Sequence, residues 1–178
     1  MNAPAQIPQG SPFNSSYTEE IVFGDIDLDG DFDVVMADGG DCCNDQNRIW
    51  VNLGGQQAGT IGFYEDRTAT QYPVVLDTSR DVEFADMDND GDLDISHSNT
   101  SDGQSPNQSN RFVINQGGLQ GGTTGFFADE TGARFPEVSD TSRGAALADL
   151  DGDTDLDLLV ANSRGEARRL YFNKGAGF

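Results

Sequence analysis

Fifteen aspartates in three groups carry the chemistry of this 178-residue chain. They are Asp25, Asp27, Asp29, Asp31 and Asp33, then Asp86, Asp88, Asp90, Asp92 and Asp94, then Asp149, Asp151, Asp153, Asp155 and Asp157. Carboxylates this dense repel one another unless a cation sits among them. The alternating Asp-x-Asp-x-Asp-Gly order is how a short loop wraps oxygen ligands around calcium. Each group is therefore expected to hold one Ca2+, about three in all.

Within loop one, alternate spacing lets Asp25, Asp27 and Asp29 converge on one point. Gly30 makes the sharp turn, Asp31 offers its backbone carbonyl with its side chain toward water, and Asp33 supplies the last carboxylate. Loop two maps in the same way onto Asp86, Asp88, Asp90, Gly91, Asp92 and Asp94. Loop three departs from the pattern: Thr154 stands where the turn glycine belongs, and a β-branched residue at positive φ is costly. Gly152 offers the backbone a way to adjust, and site three is expected to fill but more weakly. An EF-hand is excluded, because that motif needs a glutamate at its twelfth position and a helix on each side. Met36, His97 and Val160 stand there, and the flanks read as strands. Acid–base catalysis by the aspartates is disfavoured because one active site needs no copying, and the single His97 leaves no nucleophile–His–acid set. The chain reads as a non-enzyme.

The elements that position these loops also repeat. The first aspartates Asp25, Asp86 and Asp149 stand 61 and then 63 residues apart. Each ladder is followed by a short run, Val34–Ala37, Ile95–Ser98 or Leu158–Ala161. A polar loop comes next, then Arg48–Asn52, Arg111–Asn115 or Arg169–Asn173, each ending in an Asn-x-Gly turn signal. A glycine-rich stretch leads to Gly62-Phe63-Tyr64 or Gly125-Phe126-Phe127, and Thr-Ser-Arg at 78–80 and 141–143 opens the strand before the next ladder. Four short strands per unit, without a helical period, predict an all-β chain. It would consist of three four-stranded antiparallel blades of β-propeller type, each with a calcium-binding hairpin loop. Residues 1–178 form one repeat domain with units near 13–72, 73–135 and 136–178. One such sheet cannot bury both faces alone, so neighbours stack to make the core. Trp50, Phe63, Phe112, Phe126, Tyr171 and Phe172 are its expected aromatics.

These segments resemble the FG-GAP/VCBS repeat family, which includes the calcium-binding blades of integrin-type propellers. The likeness rests on Phe23-Gly24-Asp25-Ile26-Asp27-Leu28-Asp29-Gly30, on Phe84-Ala85-Asp86 and Leu147-Ala148-Asp149, and on the Asn-x-Gly and Gly-Phe segments. It spans about Tyr17 to Phe178. It implies a calcium-binding hairpin loop in an extracellular propeller, often in adhesion or surface proteins, and no single activity.

Composition narrows the partners. The formal net charge is −21, and fifteen of the 31 acidic residues lie in the ladders. No basic stripe exists to meet phosphates, so nucleic acid is excluded and an anionic membrane is disfavoured. No run is long enough for a transmembrane helix, and the N-terminus has neither the basic nor the apolar region of a signal peptide. Loops of the low-affinity calcium type fill where calcium is near millimolar, which places the chain outside the cell. Adjacent Cys42 and Cys43 make either a strained vicinal disulfide or two thiols that are free or paired with another chain. Asn14, Asn99 and Asn107 open glycosylation sequons. The recurring Arg48, Arg111, Arg169, Arg80 and Arg143 are expected to pair with loop acids.

Propellers close with about four to eight blades, and three are too few. The last unit is incomplete, and the N-terminal segment of the same or another chain is expected to complete it. That predicts a homo-oligomer or polymer, a ring or a filament, joined through complementary chain ends. A fragment of a larger surface protein is the equal alternative for the ends. The rival function is a glycan- or protein-binding module of adhesin or lectin type that uses the polar loops 38–47 and 99–110.

Overall fold

The computed structural model describes residues 7–8, 17–40, 43–101, 108–136 and 138–175. It is mostly β, built from small antiparallel sheets. The first sheet has four strands in the order β1 (Thr18–Gly24), β2 (Asp33–Asp38), β4 (Arg48–Asn52) and β5 (Tyr64–Asp66). The second repeats it with β7 (Ser79–Ala85), β8 (Asp94–Asn99), β9 (Arg111–Asn115) and β10 (Phe127–Asp129). The third has three strands among the described residues, β11 (Ser142–Ala148), β12 (Asp157–Asn162) and β13 (Arg169–Tyr171). A short ladder of β3 (Asp45–Gln46) and β6 (Leu76–Asp77) links the polar loop of unit one to the entry of unit two.

The repeat extends to the register. Gly24 faces Asp33, Ala85 faces Asp94 and Ala148 faces Asp157 at the loop end of each first hairpin. A register shift recurs near the start of each first strand, at Thr18/Glu20, Ser79/Asp81 and Ser142/Gly144. Two one-turn helices, α1 (Thr68–Gln71) and α2 (Thr131–Arg134), also fall at equivalent positions. Four residues are too few to show a helical period, so the sequence hid them. Each is pinned instead by a threonine: Thr68 Oγ1 accepts from Ile49 N at 3.1 Å, and Thr131 Oγ1 from Phe112 N at 3.0 Å.

The sheets stack face to face, and the core lies between them in two layers. Ile26, Val35, Ile49 and Val51 of unit one meet Val82, Ile95, Val113 and Phe127 of unit two. Ala85, Met87 and Phe112 of unit two meet Leu158, Val160 and Tyr171 of unit three. The expected aromatic core needs correction. Phe112 is fully buried and Tyr171 packs against that layer, but Phe126 and Phe172 are 41% and 47% exposed. Buried Phe127, Phe135 and Tyr72 take their place. In a strand, neighbouring residues point to opposite faces, so of the pair Phe126-Phe127 only the second reaches the layer.

His97 is a strand residue of β8, fully buried, with Nε2 2.6 Å from the Tyr72 hydroxyl. Burial lowers its pKa to about 3, with Asp38 opposing and Arg111 adding to the shift. The folded value lies below the ordinary 6.5, so the unfolded chain takes up the proton first as pH falls. The stability this neutral imidazole carries is present above pH 6.5 and is lost on the way toward pH 3. Between pH 6.5 and 4.5 that amounts to roughly 2–3 kcal/mol. His97→Met installs the residue that unit one carries as Met36. We expect a loss near pH 7 from the orphaned Tyr72 hydroxyl, and an acid slope shallower than wild type in denaturant titrations across this window.

Candidate metal centre

Each ladder folds into the turn that joins the first two strands of its sheet. Backbone amides clamp the leading carboxylate: Asp25 accepts from Asp29 N and Gly30 N at 2.9 and 3.0 Å, and Asp86 from Asp90 N and Gly91 N at 3.0 and 3.1 Å. The last carboxylate ties the loop to the third strand. Asp33 accepts from Ile26 N and Asn52 N, Asp94 from Met87 N and Asn115 N, and Asp157 from Leu150 N and Asn173 N, all at 2.8–3.1 Å. These bonds bring three ligand oxygens within 4.8 Å of one another in every loop: Asp25, Asp27 and Asp29; Asp86, Asp88 and Asp90; Asp149, Asp151 and Asp157.

The donor set fits a hard cation. Six buried carboxylate oxygens, one each on Asp27 and Asp88 and both on Asp31 and Asp92, accept no hydrogen bond. A buried anionic oxygen without a donor is costly, and a divalent ion supplies what the protein omits. Electrostatics agree. Burial first, then the neighbouring ladder carboxylates, push Asp92 up to about 7. Burial pushes Asp33 and Asp94 up to about 7 against the amides that favour their charged forms. Asp27, Asp31 and Asp88 are raised by the same two causes, burial leading.

Two placements differ from expectation. The side chains of Asp31 and Asp92 do not face water: Asp92 is 2% exposed, and the Asp31 oxygens are buried against the turn of unit one that includes Gly54. In loop three the converging trio takes Asp157 rather than Asp153. Asp153 and Asp155 are peripheral there. Asp153 Oδ1 accepts from Asp155 N at 3.1 Å, and Asp155 Oδ1 accepts from Asn89 Nδ2 of loop two at 2.7 Å.

Sequence reasoning missed two supporting glutamines. Gln57 Nε2 donates to Asp27 Oδ2, and Gln120 Nε2 to Asp88 Oδ2 at 2.5 Å. Arg134 Nη2 adds a contact to Asp88 at 3.2 Å. Both glutamines end a 3-10 turn after the Asn-x-Gly signal, at Gly55–Gln57 and Gly118–Gln120. Their equal placement in the repeat was the available signal.

Loop three keeps the backbone shape of its siblings with the residues exchanged. Leu28, Asn89 and Gly152 share one positive-φ position, at 59°, 60° and 86°. Gly30, Gly91 and Thr154 share the next, at 98°, 97° and 82°. Glycine thus relieves the first position of loop three, while Thr154 bears the strain at the second, on the order of 1–2 kcal/mol. Thr154→Gly is expected to add about 1 kcal/mol of stability and to tighten the weakest calcium event in a titration. An unchanged weakest event would show that strain at Thr154 does not govern that site.

Four of the five recurring arginines pair with acids, but with the strand residues Asp38, Asp77 and Glu19 and with Asp140 rather than with the ladder carboxylates. Arg48 meets Asp38 at 2.6 Å, Arg111 meets Asp77 at 2.6 Å, Arg80 meets Glu19 at 3.5 Å, and Arg169 is bonded to Asp140. Arg143 instead donates to the Ser163 hydroxyl at 3.4 Å. Cys43 is disulfide-bonded, and Cys42 lies outside the described residues. Asn99 is fully buried, with Nδ2 on Ser109 O at 2.8 Å, so this sequon is closed to modification in the folded chain. Asn14 and Asn107 lie outside the described residues.

Successive antiparallel sheets, each with an acidic loop on its first hairpin and each packed on the next, define a β-sheet repeat protein with candidate cation sites. Residues 25–95 match the FG-GAP-like repeat family. The match runs from the first aspartate of loop one to Ile95, just past the last of loop two. No curated protein matches the chain.

Proposed function

We propose that this chain is an extracellular, calcium-stabilised structural or interaction module of β-propeller-blade type that associates with copies of itself. The observation that supports it best is the orphaned carboxylate oxygens in loops that already hold three ligand atoms within 4.8 Å. Loops one and two also brace the next sheet. Asn115 Nδ2 reaches back to Ile26 O at 2.9 Å, and Asn173 Nδ2 to Met87 O at 2.8 Å. An ion that fixes a loop therefore fixes the seam between two units. A structural role for calcium, rather than catalysis, follows from that repetition. Among the described residues no helix is long and apolar enough to cross a membrane. The extracellular reading rests on the calcium concentration that such loops need.

The rival glycan-binding reading loses support at its loops. Asn47 Oδ1 accepts from Asp38 N, Asn110 Oδ1 from Asn99 N and Gln108 Oε1 from Thr78 N, which occupies side chains that would read a sugar. Residues 41–42 and 102–107 lie outside the described residues. Calorimetric titration tests the proposal. Calcium is expected to bind in about three events, and magnesium to replace it poorly because it demands a tighter octahedral shell. A titration without binding heat at several temperatures, with an unchanged melt in EDTA, overturns the reading.

A further inference from the structure

The first strand of each unit lies at an edge, since β1, β7 and β11 each end the strand order of their sheets. An edge leaves backbone amides without a partner in their own sheet. Two of these amides are taken by side chains of the preceding unit. Glu20 of β1 accepts from Val82 N of β7 at 3.0 Å, and Asp81 of β7 accepts from Ala145 N of β11 at 2.8 Å. The two acceptors share one repeat position, directly after the register shift in each first strand. Gly144 holds that position in unit three, where a Cβ would stand 3.7 Å from Asp81 Oδ1.

This staircase brings two carboxyl groups together at the first seam. Glu20 holds the amide that follows Asp81, and the two carboxyls share a hydrogen bond. Ionised carboxylates only accept, so that bond needs one proton between the pair. At the second seam Asp81 meets Gly144, which contributes no acid. The residue that Glu20 holds also belongs to the packing. Val82 is fully buried in the apolar layer between units one and two.

We propose that Glu20 and Asp81 form a proton-operated latch between units one and two, closed while they share a proton and opened when its loss sets two anions side by side. The neighbouring charges favour one shared proton. Glu83, on the same strand as Asp81, adds a third negative charge. Arg80 meets Glu19 of β1 at 3.5 Å. From β2, Asp38 is held by Arg48 and Thr18. From β8, Ser98 Oγ donates to Asp81 at 3.3 Å, and His97 is turned to Tyr72. From β11, Arg143 donates to Ser163. Burial leads in pushing Asp81 up to about 7, with the Glu20 contact and the charge of Glu83 adding and the Ala145 amide opposing. The folded value lies above the ordinary 3.8, so the stability it carries is full below pH 3.8 and is lost as pH rises through 7. The Ala145 amide favours the anion, so the latch parts on its Glu20 side. Neither residue belongs to a ladder, and the latch stands apart from the calcium reading.

Amide hydrogen exchange on the full chain in millimolar calcium tests this, with protection corrected for the intrinsic effect of pH. In wild type, protection at Val82 is expected to fall about tenfold from pH 6 to pH 8, while that at Ala145 holds. Asp81→Asn keeps an acceptor for Ala145 N and gives Glu20 a donor that does not titrate. Its Val82 protection should stay level over this range and exceed wild type about tenfold at pH 8. Glu83→Gln should keep the wild-type slope. Level Val82 protection in wild type overturns the latch, whether or not the variants fold. So does a slope that survives Asp81→Asn, a slope that Glu83→Gln abolishes, or an equal fall at Val82 and Ala145.

Discussion

Excess EDTA is expected to lower the unfolding temperature of this chain by about 10 °C. With calcium at ten times the dissociation constant, one site adds about 1.4 kcal/mol, so three add roughly 4 kcal/mol. For a chain of this length each kilocalorie moves the midpoint by about 2–4 °C. The effect is largest at neutral to alkaline pH, and its pH dependence follows from the buried carboxylates. In the metal-free protein Asp33, Asp92 and Asp94 have folded values near 7, above the ordinary 3.8. A raised folded value means the folded state holds the proton more tightly. The stability this contributes is full below pH 3.8 and is lost as pH rises through 7. The chelated protein thus gains from these groups on acidification from pH 8 to 5. The calcium-loaded protein loses, because protons compete for the ligands. Melts in calcium and in EDTA should converge as pH falls. His97 acts on both states alike and drops out of the difference. Parallel melts across pH 8 to 5 would show that these carboxylates do not govern the metal.

Much of this arrangement was legible because the chain writes it three times. The ladders at Asp25, Asp86 and Asp149 marked the first hairpin of each sheet, and the Arg-x-x-x-Asn segments marked β4, β9 and the start of the third-unit equivalent. What stayed hidden depends on which face a residue meets. Leu170 and Phe112 occupy the same repeat position, yet one is 45% exposed and the other fully buried, because unit two has unit three on that side and unit three has no further sheet there among the described residues. Composition cannot see this. The carboxylates of Asp31 and Asp92 were hidden for a related reason. In a bare loop the position after the turn faces solvent, but here the segment following the Asn-x-Gly signal folds back over it. Glycines 54 and 117 mark that close approach, with Asp31 and Asp92 oxygens against them.

Asn115→Ala is expected to be among the most damaging single changes, about 3–5 kcal/mol. The side chain is fully buried. Its Nδ2 donates to Ile26 O at 2.9 Å across the seam and to Leu93 O at 3.2 Å within its own sheet. Its Oδ1 accepts from Gly125 N at 2.9 Å and from Gly117 N at 3.4 Å. Alanine leaves several of these backbone groups buried without a partner, each worth roughly 1–3 kcal/mol. Asn52 makes the matching bonds inside unit one, to Phe32 O at 3.2 Å and from Gly62 N at 2.9 Å and Gly54 N at 3.4 Å. Among the described residues it makes no bond to another sheet. Asn52→Ala, measured on dilute monomer, should therefore cost less by about 1–2 kcal/mol, the worth of one bond between sheets. Calcium gives a second readout. Asn115 braces Ile26 between two candidate ligands of loop one and Leu93 beside the last aspartate of loop two, so its loss should weaken two binding events. Asn52 braces loop one alone, and its loss should weaken one. Equal stability losses with equal calcium effects would place the cohesion of this chain inside its sheets rather than between them.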